Sequence, residues 1–548
     1  MKHWVVCCFV LLLALCSCRE DRFDFDNSPR VTRAPGFVYL EGDHFMVDDS
    51  VWFPIMMNYK IDWYHIGHDI TIGPASYYEK TYDMQGQEEY PWQQIENHFH
   101  LMTSLARCHD SSAGGINSIR VCLDVVNHNE NGYFYGSSDH PLHLIKDSTA
   151  IFNSIENTLV LRAKNCGLRL MLLIPRPLDE ELMAFAAALL RRFADEPTIW
   201  AYDFMNEPLY FDPVEKRSKT DAYRVVDKWR ELMNKYAPHQ LFTIGFSEPL
   251  EVFEWDPSIL PVDFVEVHTY HPLRIGAEMY WYGRYVGRPW MIGETALPSE
   301  NDSVPYEWQK IFAKEACQLA IDNGACGFGW WEFQEYIGGV NFEAQYTGVF
   351  NHEDFTIGGW TEESKFETES VPTLEGRRYN FAMKGQRKPV CDIFAELSKL
   401  KPHKAKMPTN YYNMVGYHNI AVGGKVTDEN GNPIEGAVVR GWNEDWSVGA
   451  NTYSREDGSF WLITNDVCTH FEVSAPGMSV TEFDRRYSLG GMKPEALPDR
   501  TLEYQGISYV PFLKSDTSMF TFKAEMFDKA QHWFDNAVAT VKLKKLNR

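Results

Sequence analysis

Residues 199–208 read Ile-Trp-Ala-Tyr-Asp-Phe-Met-Asn-Glu-Pro. The apolar run Ile199–Phe204 gives way to Asn206 and Glu207, then to Pro208. That is the pattern of a buried strand that stops at a loop. Runs of the same kind recur at Trp52–Met57, Ser118–Leu123, Leu168–Ile174, Leu241–Phe246, Phe264–His268, Trp290–Gly293 and Gly327–Trp331. Between them lie helical faces: Ile95, Phe99, Met102 and Leu105; Ile151, Ile155 and Leu159; Leu182, Phe185, Leu189 and Phe193. Pro389–Leu400 supplies a last helix. Eight strand-like runs alternating with helices over about 360 residues predict an α/β fold, a parallel sheet closed as a (β/α)8 TIM barrel over residues 36–400. The alternative is a doubly wound open sheet. The glycine-rich phosphate loop that would support it does not follow the first strand.

Two connections, Tyr59–Tyr90 after the first strand and Glu332–Lys388 after the eighth, exceed what a turn requires. Both leave C-terminal strand ends, where barrels of this kind hold their sites. They read as walls of a binding cleft; the alternative is that they cover the barrel or pack a second domain.

The whole chain is 548 residues, 44% apolar and 23% charged. This is a multi-domain globular composition that excludes disordered, collagen-like and coiled-coil proteins. A net charge of −24 makes nucleic acid a poor partner, because phosphates need Lys and Arg to neutralise them. Aromatic residues reach 14%, with 17 Trp. They fit either a large core or a surface that stacks flat apolar faces such as sugar rings.

After a Pro/Lys/Asn-rich linker, residues 401–417, the grammar changes to period-2 alternation. Strands are predicted at Ala421–Val426, Ala437–Trp442, Gly458–Ile463 and Cys468–Ala475, with Ala539–Leu543 as a final strand. The set Gly424-Lys-Val-Thr-Asp428, Gly431 to Pro433, Gly436-Ala-Val438 and Asp457-Gly-Ser-Phe460 resembles the carboxypeptidase regulatory-like domain. The resemblance implies a smaller all-β sandwich over residues 418–548, read here as a spacer or stabiliser. Asp428 and Asn430 lack the full ligand spacing of a calcium loop and read as a turn.

Residues 1–17 carry Lys2 and the apolar run Val5–Leu15, too short to span a bilayer, and read as an export signal. The signal ends Leu15-Cys-Ser-Cys18, which resembles a bacterial lipobox. Cys18 is then the lipidated residue, residues 18–35 a polar tether, and lipid the only membrane attachment. Arg19-Glu20-Asp21 resembles the tag of lipoproteins exposed on the outer surface of Bacteroidetes-type bacteria, so the expected location is the outer membrane. A plain secretory signal cut elsewhere is the alternative. Seven further cysteines are unclustered and show neither CxxC nor a disulfide framework, which argues against structural zinc.

Cleaving a glycosidic bond takes two carboxyl groups, one to protonate the departing oxygen and one to attack the anomeric carbon or activate water. Glu207 ends the fourth strand and Glu294 the seventh. With Gly115-Ile-Asn-Ser-Ile-Arg120, Asn206-Glu207-Pro208, His268-Thr-Tyr270, Glu294 and Trp331 in that order, the chain resembles glycoside hydrolase clan A, nearest to family 5. The resemblance implies a retaining glycosidase with Glu207 as acid/base and Glu294 as nucleophile. It assigns Asn206 to the sugar 2-hydroxyl, Tyr270 and Arg120 to holding Glu294 ionised, His268 to substrate or Glu207, and Trp331 to the floor of the subsite. Trp330 is the alternative for that floor. Neither metal nor organic cofactor is required. Glu207 has no cation beside it in sequence, so it is expected to keep its proton. One departure stands out: the third strand ends Ile174-Pro-Arg176-Pro177, where family 5 members usually carry a His. Arg176 takes that place or is a surface cation.

The leading reading is a retaining β-glycosidase on a lipid-anchored surface protein, with a poly- or oligosaccharide as substrate. A glycan-binding protein on a lapsed barrel and an adhesion lipoprotein are the alternatives. Sugar, linkage and oligomeric state are not legible.

Overall fold

The computed structural model describes residues 33–66, 69–75, 91–105, 115–301, 304–335, 346–351, 369–372, 378–381, 387–417, 420–444, 447–464, 468–484, 502–504, 507–509 and 539–546. The signal segment, Cys18, most of the tether and much of the two long connections lie outside these residues.

Eight parallel strands run Ile55–Ile66, Ser118–Cys122, Arg169–Leu173, Ile199–Asn206, Leu241–Phe246, Val265–His268, Trp290–Glu294 and Phe328–Trp330. Each pairs with its neighbour, and Phe328↔Ile55 through Trp330↔Met57 close the eighth strand onto the first. The predicted closed barrel is therefore observed, and the open sheet is excluded. Helices such as Glu180–Arg192 and Lys219–Tyr236 pack outside. Each starts at a side chain that accepts a backbone N–H, Asp179 from Leu182 and Ser218 from Asp221.

Three departures from the sequence reading have physical reasons. The first strand does not stop at Met57. It runs on to Ile66 and folds back antiparallel on Asp69–Pro74. Ile72 of that hairpin is buried, and Trp63 stacks on Tyr135 at 4.7 Å. The segment before the barrel, to which the sequence reading assigned no element, forms a three-stranded antiparallel sheet, Val38–Glu41, His44–Val47 and Ser50–Val51. Its Phe45 meets Trp200 and Phe264 edge-on at 5.2 and 5.0 Å, plugging the end of the barrel away from the site. Residues 389–400 form a 3-10 turn and a single helical turn rather than one helix. The second long connection is pinned where it is described: buried Lys388 pairs with Glu335 at 2.5 Å and donates to the carbonyls of Ser299 and Tyr346.

The described C-terminal residues form two larger antiparallel-based sheets and a separate hairpin, Leu502–Tyr504 with Ile507–Tyr509. One sheet holds Ser459–Thr464, Ile420–Thr427 and Ala539–Lys542; the other holds Gly449–Tyr453, Val438–Trp442, His470–Ser474 and Thr481–Asp484. Val426, Phe460 and Leu543 from the first meet Val439 and Val473 from the second. All five expected strands are present, and Gly449–Tyr453 and Thr481–Asp484 are additional. Asp428 accepts N–H bonds from Asn430 and Asn432, the side-chain turn expected.

Residues 401–417 are not a free linker. Tyr411 and Met414 are buried, and Tyr411 stacks on Tyr453 of the sandwich at 4.6 Å. Tyr453 stacks in turn on Trp281 of the barrel, whose Nε1–H donates to the Gly436 carbonyl at 2.8 Å. Gly436 has φ +74°, and a Cβ there would meet the Tyr285 ring at 2.5 Å. Buried Lys219 pairs with Asp256 at 2.8 Å and donates to the Ala475 carbonyl. Barrel and sandwich therefore share one core, unlike the small polar contacts usual between domains. We expect a single calorimetric unfolding transition, and Trp281→Ala should destabilise it by about 3–5 kcal/mol. Two transitions in the parent protein, only one of them moved by the substitution, would refute the shared core.

Candidate active site

The site forms at the C-terminal strand ends because buried polar side chains there must find partners inside the barrel. The fourth strand slips register against the fifth between Asp203 and Asn206. The freed N–H groups of Met205 and Gly245 bond to Asp203 Oδ1. Asp203 Oδ2 accepts from Arg120 Nη2 and Nε at 2.6 and 3.0 Å. Past the slip, Glu207 takes φ +39°, a left-handed conformation that costs about 1–2 kcal/mol for a residue with a side chain. Its N–H is held by the Gly245 carbonyl at 2.7 Å.

Arg120 is wholly buried at the centre. Besides Asp203 it bonds Glu294 Oε1, Asn58 Oδ1 at 3.0 Å and Asn206 Oδ1 at 2.9 Å, and its Nε lies 3.2 Å from Glu266. The Tyr270 hydroxyl donates to the other oxygen of Glu294. His268 Nδ1 stands 3.0 Å from Glu207 and 3.6 Å from Glu294, and its Nε2 is 3.7 Å from Glu266. Room for buried Glu266 comes from Gly293, where a Cβ would sit 2.1 Å from the carboxyl. Asn58 Nδ2 donates to the carbonyls of Gly293 and Trp330, tying the first strand to the seventh and eighth.

These contacts set the charges. Burial alone would push Glu294 up, but His268, Arg120 and Tyr270 outweigh it and hold the carboxyl below its usual range. Burial would push His268 down, but Glu294, Glu207 and Glu266 outweigh it and raise the imidazole to about 10. Burial, then Glu294 and Glu207, hold Tyr270 well above its ordinary value, so it remains a donor. Glu207 therefore has a cation in contact across the barrel, which reading along the chain did not reveal.

A cavity of about 850 Å³ opens above, lined by Glu207, Glu294, Asn206, His268, Tyr270 and Trp331 among others. The structure thus brings Arg120, Asn206, Glu207, His268, Tyr270, Glu294 and Trp331 to one place. Trp331 faces the cavity, with the Lys60 ammonium 4.7 Å from its ring centroid. Trp330 is buried against Phe312 and Phe394. Arg176 is exposed, does not line the cavity, and donates to the Phe211 carbonyl. The sequence reading missed Asn58, Asp203 and Glu266. Glu266 and His268 share one face at period 2 in a fully buried strand, the signal that could have found it.

One oxygen each from Glu207 and Glu294 and a nitrogen of His268 lie within 4.8 Å of one another. Three such atoms suggest a metal, but the donor set does not suit one. Both oxygens of Glu294 are already bound, to a guanidinium and a phenol, and the raised His268 offers a proton rather than a lone pair.

No protein-family model matches the chain, and no curated protein sequence matches it significantly. Among solved structures it is similar to an exo-β-1,4-mannosidase from Opitutaceae bacterium strain TAV5, with 13% identity, 68% of this chain and 61% of that one covered, and a TM-score of 0.43. It is also similar to an endo-1,4-β-mannanase from Rhizomucor miehei, with 13% identity, 54% and 90% covered, and a TM-score of 0.37. A Faecalibacterium prausnitzii β-glucuronidase gives 11%, 66% and 51%, and 0.39. The chain spans less than two thirds of the mannosidase's length.

Buried carboxyls also set how stability depends on pH. Burial raises Glu332 to about 7 and Glu251 to about 8, and raises Glu278 in the same direction. Each keeps its proton in the folded protein at a pH where the unfolded chain has released it. The folded state then binds more protons than the unfolded one, so stability falls as pH rises from about 4 to 8. Raised His268 extends the fall from 6.5 upward. Lowered Glu294 acts the opposite way below about 4.5, and buried His98 and His271, which burial holds below the ordinary imidazole value, offset part of the fall up to about 6.5. The thermal midpoint should drop by at least about 3 °C between pH 5 and 8. A midpoint that climbs over this interval would mean that these carboxyls are ionised in the folded protein.

Proposed function

We propose that the chain is a retaining β-glycoside hydrolase acting on poly- or oligosaccharides. The observation that carries this reading is the pair Glu207 and Glu294, brought close together in one cleft, with Glu294 enclosed by Arg120 and Tyr270 and Glu207 more open to the cavity. An approach of 4.8 Å or less between their oxygens agrees with the roughly 5–5.5 Å carboxyl spacing of retaining enzymes, not with the wider gap of inverting ones. Glu294, kept ionised by Arg120, Tyr270 and His268, attacks the anomeric carbon. Glu207 gives its proton to the departing oxygen, and the glycosyl–oxygen bond breaks. Water then attacks the glycosyl-enzyme ester, giving its proton to Glu207 and freeing Glu294. Asn206, oriented by Arg120, is positioned to meet the sugar 2-hydroxyl, and Trp331 supplies a flat apolar floor. His268 touches both carboxylates.

Glu207→Ala should cut turnover of natural glycosides by about 10²–10⁴-fold. Aryl glycosides with activated leaving groups should be nearly spared in their first step. Added azide needs no base and should restore turnover, giving a β-glycosyl azide. Equal loss on all substrates with no rescue by azide would make Glu207 a binding or structural carboxylate.

We further propose that the protein is lipidated at Cys18 and displayed on the bacterial outer membrane. The Leu15-Cys-Ser-Cys18 ending supports this. Among the described residues, no helix is long and apolar enough to cross a membrane. Cys18→Ser should move the protein from the membrane fraction to the soluble one, because the acyl chains are the anchor. A variant that still pellets with membranes would sink the lipobox reading.

A further inference from the structure

Among the described residues, few large apolar side chains are exposed, and three of them line the cleft. Val125, Tyr210 and Phe211 are 76%, 57% and 49% exposed, and all line the cavity that holds Glu207 and Glu294. Exposed apolar surface gathered at a cleft marks a contact site.

Two of these rings are placed by the candidate acid itself. The carbonyl of Glu207 accepts the N–H groups of Tyr210 and Phe211 at 2.9 and 3.0 Å, so the helical turn that carries both rings starts at that residue. The turn is also tethered from outside. The Tyr210 hydroxyl donates to Glu248 at 2.9 Å, and Glu248 pairs with Arg274 at 2.8 Å. Arg176 holds the Phe211 carbonyl. The rings are thus exposed yet anchored, which lowers the entropy lost when something stacks on them.

Topology decides which part of a substrate they meet. Tyr210 and Phe211 follow the fourth strand, and Trp331 follows the eighth, on opposite sides of an eight-stranded ring. A general acid must lie beside the bridging oxygen it protonates. Surface contiguous with Glu207 and across the cleft from Trp331 therefore faces the group beyond that oxygen, the one that departs.

We propose that Tyr210 and Phe211 form an acceptor subsite that stacks the apolar face of a pyranose leaving group. The substrate then carries sugar on both sides of the scissile bond. This rests on the glycosidase reading above and adds the chemistry of the departing half.

The test compares Phe211→Ala, at an exposed position where folding is not at risk, with the parent full-length chain. The substrates are β-glucosyl, β-mannosyl and β-galactosyl fluorides, the matching aryl glycosides, and β-linked oligosaccharides of the same sugars. Fluoride is too small to touch the rings. The ratio of kcat/KM for oligosaccharide over fluoride should fall about tenfold in Phe211→Ala, the scale of one lost ring contact. In the parent loaded with a 2-fluoro glycosyl group, reactivation by added sugar acceptor should saturate, and Phe211→Ala should raise the half-saturating concentration. An unchanged ratio would overturn the subsite. A ratio that falls for aryl glycosides over fluoride but not for oligosaccharides would overturn the sugar assignment in favour of an aromatic aglycone. If the parent turns over no fluoride and no 2-fluoro glycoside labels Glu294, the glycosidase reading itself fails and the subsite falls with it.

Discussion

One buried guanidinium organises the working end of the barrel. Arg120 has no exposed surface and sits among Asp203, Glu266 and Glu294. A lone charge in that position would be prohibitive, and removing one partner of such a cluster leaves another charge stranded. The surrounding residues follow from this need. Asn58 takes one N–H and uses its own amide to tie three strands together. Asp203 is shared between the arginine and a slipped strand edge. Gly293 lacks a side chain because Glu266 fills the space. The candidate nucleophile and the hydrogen bonds that keep the barrel's upper layer closed are thus parts of one network, and its members are not free to vary singly.

That network also makes the two glutamates unlike. Glu294 is enclosed by a guanidinium, a phenol and an imidazole. Glu207 stands partly in the cleft on a left-handed turn, with the imidazole as its close polar neighbour. Two carboxyls of the same chemistry are thus given different surroundings, which is what an acid and a nucleophile would need.

The barrel was legible because eight strand-like runs have length, apolar content and helical spacers in register. The meeting place of Asn206, Glu207, His268, Tyr270 and Glu294 was legible because Asn206-Glu207-Pro208, His268-Thr-Tyr270 and Glu294 sit where strands end. What escaped has a common physical origin: pairing between distant segments. The Phe45 sheet is made of strands too short to show a period, and it is recognisable only by the Trp200 and Phe264 rings it covers. Residues 401–417 look like a linker by composition, yet Tyr411 finds its place between Tyr453 and the barrel. Glu266 reads as an ordinary strand residue until Arg120 and His268 arrive from elsewhere. The contact between His268 and Glu207 joins residues 61 apart in sequence, and local reasoning assigned the acid no cation.

The stacked rings of Trp281, Tyr453 and Tyr411 change what the sandwich is. Cut away after residue 400, the barrel would expose the indole of Trp281 and an unpaired Nε1–H that now reaches the Gly436 carbonyl. Lys219 would lose the carbonyl of Ala475. The C-terminal region is therefore not a module that recombination could append to or strip from this barrel at will. Any exchange would have to carry the glycine at 436 and the aromatic residues on both sides of the seam, so the two halves are bound to diverge together as a single heritable unit.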